Sequence, residues 1–279
     1  MNDHGLLKIS VIIPTCHRND LLAKCLNCLA PGVQTLSPEQ YEVIVTDDGS
    51  RSTAEQLVRD KYPWARWVEG PRRGPAANRN RGAATSHGDW LAFTDDDCLP
   101  SREWLSALTM AIIPCVEIYE GKTTCEAGVR SPMEQAPINL HGGWLWSCNM
   151  MVHKDVFQNL GGFDERFPHP HMEDTDLRER IKFAMHPFLF VESAVIDHPP
   201  RRVPSGKKLS AYHESEIMFW CRQKKSRPFL MLFRGLVKAR IKNIISHRVS
   251  RDSVCAGLSL IVELLYTLCR LPEWKKKYF

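Results

Sequence analysis

Trp90-Leu91-Ala92-Phe93-Thr94-Asp95-Asp96-Asp97 is an apolar run that ends on three consecutive carboxylates. Like charges held side by side where a chain leaves a core repel one another and lose hydration, so the arrangement calls for a cation. Hard divalent ions such as Mg2+ and Mn2+ take oxygen ligands, commonly one or two protein carboxylates together with substrate phosphates. On an extended segment Asp95 and Asp97 project to the same side and can share one such complex. A solvated acidic turn is the alternative for this segment taken alone.

The residues before it repeat one pattern. Lys8 to Pro14 is a short β-branched run closed by proline, a buried strand. Asn19 or Asp20 caps a helix with apolar positions Leu21, Leu22, Cys25, Leu26 and Leu29, stopping near Pro31-Gly32. Glu42 to Thr46 is a second strand that runs into Asp47-Asp48-Gly49-Ser50. Helical spacing resumes after Ser52 and ends near Tyr62-Pro63, and Trp67-Val68 marks a third strand. After the loop Gly70 to Pro75, a small-residue helix from Ala76 to Ala84 carries Asn78, Arg79, Asn80 and Arg81. Strand–helix alternation of this kind predicts an α/β fold with a doubly wound, mostly parallel sheet flanked by helices. Such sheets bind ligands outside the carboxyl ends of their strands, where Asp48, Arg79, Asp95 and Asp97 all fall.

Five motifs in order then carry a resemblance. They are Ile12-Ile13-Pro14-Thr15, Asp47 to Ser50, Gly74 to Gly82, Asp95 to Asp97, and the pair Gly161 to Phe167 with Glu173 to Leu177. Together they resemble family-2 inverting glycosyltransferases of the GT-A fold, over roughly residues 8 to 200. The resemblance implies a nucleotide-diphosphate-sugar donor, a Mn2+ or Mg2+ cofactor, and a sugar or lipid-linked sugar acceptor. By similarity the donor lies against Pro14, Thr15, Arg18, Asp48, Arg79, Asp95 and Asp96, with Asp48 at the base, Arg79 near the diphosphate and Asp95 near the ribose. Asp97 is then the direct metal ligand. One departure is Cys16, where the family often has an aromatic residue, so stacking on the base is expected to be weaker or to come from elsewhere.

The chemistry can be argued from residue types as well. Breaking a sugar–phosphate bond builds negative charge on the departing diphosphate, which a carboxylate-held divalent ion stabilises, with Arg79 or Arg81 assisting. The acceptor hydroxyl must lose its proton to a carboxylate near the metal but not on it. Asp174 is the candidate. It opens a helix whose apolar positions are Leu177, Ile181 and Ala184, and the family pattern puts the base at the same place. Glu173 is expected to orient the acceptor or hold the loop, and Asp176 to pair with Arg180 at i,i+4. His198 reads as a third metal ligand by family context, or as a turn residue before Pro199-Pro200. His169 and His171, which flank Pro170 just before Asp174, read first as a solvated loop, with acceptor or phosphate contact as the alternative. In Gly142 to Met151, Trp144 and Trp146 share a face if the segment is extended, suited to stacking on acceptor or donor sugar or to core packing. Asn149 is a weaker candidate for a donor hydroxyl.

Composition divides the chain at about residue 200. Residues 201–279 carry 18 Lys and Arg against five Asp and Glu, a net charge of +13, which leaves −8 on residues 1–200. We therefore expect a catalytic domain over 1–200 and a basic helical extension over 201–279. Phe229 to His247 mixes apolar and basic residues as a membrane-surface helix does. Val254 to Leu268, about fifteen residues long and holding Glu263, falls short of the roughly 20 residues that span a bilayer. Docking on an anionic membrane surface and packing on the catalytic domain are the two readings of this tail. The acidic body and missing recognition motif speak against nucleic acid. Ten scattered cysteines and a polar N-terminus without a secretory signal fit reduced thiols and a cytoplasmic setting. A catalytically silent docking protein on the same fold is the competing function, which intact carboxylates at 95, 97 and 174 oppose. Another nucleotide-using transferase would need glycine after the first strand, where Pro14 to Arg18 has none.

Overall fold

The computed structural model describes residues 8–51 and 53–279; Ser52 and most of the polar N-terminal stretch lie outside them. In chain order the elements are β1 (Ile9–Thr15), α1 (Asn19–Leu29), β2 (Tyr41–Asp47), α2 (Glu55–Lys61), β3 (Ala65–Glu69), α3 (Pro75–Thr85) and β4 (Trp90–Phe93). Next come β5 (Leu99–Pro100), α4 (Trp104–Met110), β6 (Ile118–Thr124), β7 (Glu134–Gln135), β8 (Met150–His153), α5 (Lys154–Asn159), α6 (Glu173–Phe183) and β9 (Leu189–Asp197). The chain ends with β10 (Arg201–Arg202), α7 (Gly206–Arg222), α8 (Pro228–Ile245) and α9 (Arg251–Tyr278).

Eight strands join in the order β3-β2-β1-β4-β8-β6-β9-β5. The first four are mutually parallel; β8 enters antiparallel between β4 and β6, β9 runs parallel to β6, and β5 closes the edge antiparallel to β9. Alternate residues serve opposite faces. Ile9, Val11, Ile13, Val43, Val45 and Ala92 pack on one side, and Ile12, Ile44, Leu91 and Phe93 on the other. Burial on both faces is why these strands read as unbroken apolar runs. Helix α3 lies unusually close to the sheet because it carries Gly82: a Cβ there would stand 2.5 Å from Ile12 Cγ2. That approach fixes Asn78 and Arg79 at the carboxyl ends of β1 and β2, where Asn78 Nδ2 donates to the carbonyl of Thr46 at 2.8 Å.

One compact unit comprises the residues up to 126, 137–165 and 173–199; the other comprises 127–136, 166–172 and 200–279. The linear boundary expected at 200 thus misses two earlier segments that fold with the tail. Within this second unit α7, α8 and α9 pack around Ile217, Leu232 and Trp274. His169 and His171, expected in a solvated loop, belong here: His169 N–H donates to Ser215 Oγ, and His171 Nε2 lies 3.1 Å from Glu216 Oε1. Helix α9 also corrects an expectation. It runs 28 residues through Pro272, long and apolar enough by length and composition to cross a membrane.

His213 stands between two carboxylates, Nδ1 at 3.0 Å from Glu216 Oε1 and Nε2 at 2.9 Å from Glu263 Oε1. With an acceptor on each nitrogen, the ring is an imidazolium. His171 shares Glu216 from the 166–172 segment, and Arg240 of α8 lies 3.4 Å from Glu263 Oε2. Burial opposes the charged ring, but the hydrogen bonds and charges of Glu216 and Glu263 prevail and raise its pKa from 6.5 to about 9. Burial likewise opposes the Glu216 carboxylate, yet His171 and His213 bring it from 4.5 down to about 2. The histidine contribution is full below pH 6.5 and lost as pH climbs through 9; the Glu216 contribution is full above 4.5 and lost toward 2. A shift of this size is worth roughly 3 kcal/mol, and the two are not added because both contain the His213–Glu216 contact. Amide exchange in α7 and α9, corrected for its intrinsic pH dependence, is therefore expected to accelerate between about pH 7 and 10. A flat profile would contradict the assignment.

Candidate active site

The triple aspartate turns at the carboxyl end of β4, and the chain then enters β5. Leu99 of β5 pairs antiparallel with Asp197 of β9, a register that carries Asp97 alongside His198. His198 is almost wholly buried, with Nε2 3.4 Å from Asp97 Oδ1. Its Nδ1 lies 3.0 Å from the carbonyl of Pro199. A carbonyl only accepts, so Nδ1 holds a proton; Nε2 faces the Asp97 oxygen without hydrogen-bonding to it, unlike the ring of His213, and is the nitrogen whose lone pair a cation could use. Nε2 has no hydrogen-bond partner. Two electron-rich atoms aimed at each other fit a shared cation, and Cys98 offers a thiol within 4.8 Å of both.

Thr15, Arg18 and Asp96, expected against the donor, bind one another. Thr15 Oγ1 donates to Asp96 Oδ2 at 2.7 Å, and Arg18 reaches both Asp96 oxygens. Arg18 extends further to Asp97 Oδ2 at 3.1 Å. Pro14 is buried within β1. Asp48 accepts the backbone N–H groups of Arg72 at 2.8 Å and Gly74 at 3.0 Å, and so shapes the loop that leads into α3. Cys16 is exposed just past β1.

Arg79, expected near a diphosphate, is a buried link between the aspartates and α6. Its Nη2 lies 2.6 Å from Asp95 Oδ1 and its Nη1 3.5 Å from Glu173 Oε1. Burial disfavours its charge, but Asp95, Asp174 and Glu173 outweigh that and hold it protonated. Asp174 is the second residue of α6. The N–H of Ser147 donates to its Oδ2 at 3.2 Å, while Oδ1 is buried with no hydrogen-bond partner. Burial raises its pKa, Arg79 lowers it, Asp95 raises it again, and the net position is above an ordinary aspartate. Leu177 and Ile181 anchor the helix, whereas Ala184 lies exposed beyond its end. Asp176 pairs with Arg180 at 2.7 Å, and Arg180 also ties the carbonyls of Leu160 and Gly162.

Trp144 and Trp146 do not lie on a strand. Their rings stack with centroids 5.3 Å apart, Trp144 about half exposed, and the Arg178 guanidinium sits 5.9 Å over Trp144. Their loop is held by a group that sequence reading missed: Glu120, fully buried, whose signal was a lone charge following the apolar Ile118-Tyr119. Asn149 is spent on the core, accepting from Trp104 Nε1 and donating to the carbonyls of Lys122 and Ala194. Among the described residues, Asp95, Asp96, Asp97, Glu173 and Asp174 bring five carboxylates to this region, and Arg18 and Arg79 bring two guanidiniums. The excess negative charge suits a divalent ion.

A family model described as glycosyl transferase family 2 matches residues 10–116. Glycosyltransferase AglE of Haloferax volcanii is 36% identical over 290 residues, covering 95% of this chain and 93% of its own. Validoxylamine A glucosyltransferase of Streptomyces hygroscopicus subsp. limoneus is 27% identical over 217 residues, 62% of this chain and 47% of its own. Among solved structures, mannosyltransferase PcManGT from Pyrobaculum calidifontis, in complex with GDP-Man and Mn2+, aligns with a TM-score of 0.59 and 17% identity over 94% of this chain and 87% of its own. S. aureus TarS 1–349, in complex with UDP-GlcNAc, aligns at 0.58 with 16% identity over 92% and 71%. The shared architecture is the GT-A sheet flanked by helices.

Proposed function

This chain belongs to glycosyl transferase family 2, and on that premise we propose that it transfers a sugar from a nucleotide-diphosphate-sugar to a hydroxyl acceptor with inversion, in the synthesis of a cell-surface polysaccharide or glycolipid. The observation that carries the reading is the pairing of a buried His198–Asp97 corner with a separate carboxylate, Asp174, whose Oδ1 is buried and unengaged. Asp97 and His198 would hold Mn2+ or Mg2+. When bound, such an ion offsets the charge that grows on the departing diphosphate. Asp174 Oδ1 takes the proton of the acceptor hydroxyl, while Ser147 N–H keeps Oδ2 in place. Arg79 balances Asp95 and Glu173, so that Asp174 stays ionised beside other acids. One displacement opposite the leaving group inverts the anomeric carbon. The stacked Trp144–Trp146 pair, with Glu173, is the acceptor side of this reading. The GDP-Man and UDP-GlcNAc complexes of the structural neighbours support a nucleotide-sugar donor. A thermal-shift screen of UDP-, GDP- and dTDP-sugars with Mn2+ selects the donor; stabilisation by none of them would contradict the proposal.

The tail supports a second element of the reading, docking on the cytoplasmic face of an anionic membrane where a lipid-linked acceptor lies. Helix α8 exposes Leu230, Met231, Ile241 and Ile245, and α9 exposes Val254, Leu258, Ile261 and Leu265, within a segment of net charge +13. Apolar surface among Lys and Arg suits the interface of anionic lipid. Full-length protein is expected to float with vesicles containing phosphatidylglycerol, and an Ile261→Glu/Leu265→Glu variant to stay at the bottom of the gradient. Equal flotation of the two would end this part of the reading.

A further inference from the structure

Glu120 lies on β6 with its side chain wholly buried, and the hydrogen bonds it accepts among the described residues come from one loop. The backbone N–H groups of Gly143, Trp144 and Leu145 donate to it, the last at 2.8 Å, and Asn139 Nδ2 donates to Oε2 at 3.1 Å. Asn139 is itself fixed to Thr123 of β6 by two backbone hydrogen bonds and accepts the N–H of Gly142 at 2.8 Å. A loop with three successive N–H groups turned to one point cannot be extended. Accordingly Gly142, Gly143 and Leu145 all have positive φ, at 80°, 96° and 48°. The leucine holds a conformation that side chains disfavour, so something must over-determine it. A buried carboxylate with four donors does so, because charge-assisted hydrogen bonds are stronger than neutral ones. A Cβ on Gly142 would stand 3.0 Å from Glu120 Oε1 and 2.8 Å from Phe190 Cβ, so the turn is moulded onto the glutamate.

The turn carries Trp144 and leads directly to the rest of the candidate acceptor side: Trp146, and Ser147, whose N–H holds the Asp174 carboxylate. We infer that Glu120 is a positioning residue, the template on which the loop that displays the tryptophan stack and fixes the general base is folded. The inference rests on Asp174 being the base. Glu120 acts on the loop through its backbone N–H groups and through Asn139, at one remove from the tryptophan rings and from Asp174. Replacing it with Gln leaves the volume unchanged but turns an amide NH2 toward N–H donors, which breaks part of the set.

Three measurements on the full chain test this. In the wild-type protein the amides of Gly143, Trp144 and Leu145 should exchange with solvent far more slowly than free-loop amides, although they lie outside any strand ladder; exchange at loop rates would overturn the template. Stacked indoles give an exciton couplet in far-ultraviolet circular dichroism, with a Trp144→Phe variant as the reference for its loss. Glu120→Gln should lose the couplet. It should also release nucleoside diphosphate from the selected donor, with Mn2+ present and water as acceptor, about 10²-fold more slowly at an unchanged donor KM, the penalty expected for a group misplaced by about 1 Å. A couplet that survives, or one that disappears while turnover is kept, would overturn the positioning role. Should Glu120→Gln fail to fold, the exchange measurement decides alone. The Asp174→Asn variant isolates the underlying premise, since full turnover there defeats the base assignment while leaving the exchange result standing.

Discussion

Asp174→Asn should release nucleoside diphosphate from the donor about 10²- to 10⁴-fold more slowly than the wild type, the range that general-base catalysis supplies. Donor binding should be unchanged. The substitution keeps an oxygen for the Ser147 N–H, so the local hydrogen bond survives, while proton acceptance and the negative charge beside Arg79 are lost. Burial and Asp95 make the ionised carboxylate costly to hold, so the neutral amide is expected to raise the melting temperature of the ligand-free protein. A gain in stability with a loss of turnover separates a functional carboxylate from a structural one. In the wild type the base works when ionised. Turnover should therefore fall as pH drops through a pKa displaced above the ordinary 3.8. An Asp174→Asn protein that turns over at the wild-type rate would remove Asp174 from the chemistry.

Asp97→Ala should have an effect as large by another route. It takes one carboxylate from the His198 corner, and loss of several kcal/mol of charge stabilisation corresponds to about 10³-fold or more in turnover. Added Mn2+ should not restore it. Thermal stabilisation by UDP or GDP with Mn2+, about 2.7 kcal/mol at one hundred times the dissociation constant, should vanish with it. Arg18 keeps Asp96 as a partner in this variant, so the fold is expected to survive. His198→Gln retains a polar group without the imidazole and should fall between Asp97→Ala and the wild type. Turnover of Asp97→Ala close to the wild-type value would dissociate this corner from any cation.

The α/β core was legible because its strands are buried on both faces and announce themselves as apolar, mostly β-branched runs ended by proline or aspartate. Lys8 to Pro14, Glu42 to Thr46 and Trp90 to Thr94 became β1, β2 and β4 with boundaries displaced by a residue or so. Contacts across long sequence separations were not legible. The two-residue β5 has no periodic pattern, yet its pairing with β9 brings residue 97 to residue 198. Carboxylates near the strand ends were found, but not their partners. Asp96, Asp48 and Arg79 are engaged by Thr15 and Arg18, by backbone N–H groups, and by Asp95 and Glu173, none of which can be read from spacing. Whether the Trp144–Trp146 segment is extended could not be read locally, because its turn depends on Glu120, more than twenty residues earlier. In the tail, composition revealed the charge and the apolar helices. It could not reveal that residues 127–136 and 166–172 fold with them, nor that helix α9 continues past Pro272.

Titration of Mn2+ in the presence of UDP and, separately, GDP, followed by the loss of the free-ion electron paramagnetic resonance signal, tests the account most directly. Wild-type and Asp174→Asn proteins are expected to take up one ion each with similar affinity, and Asp97→Ala none. Equal uptake by all three, or loss of uptake in Asp174→Asn alone, would contradict a centre in which Asp97 holds the metal and Asp174 stands apart from it as the base.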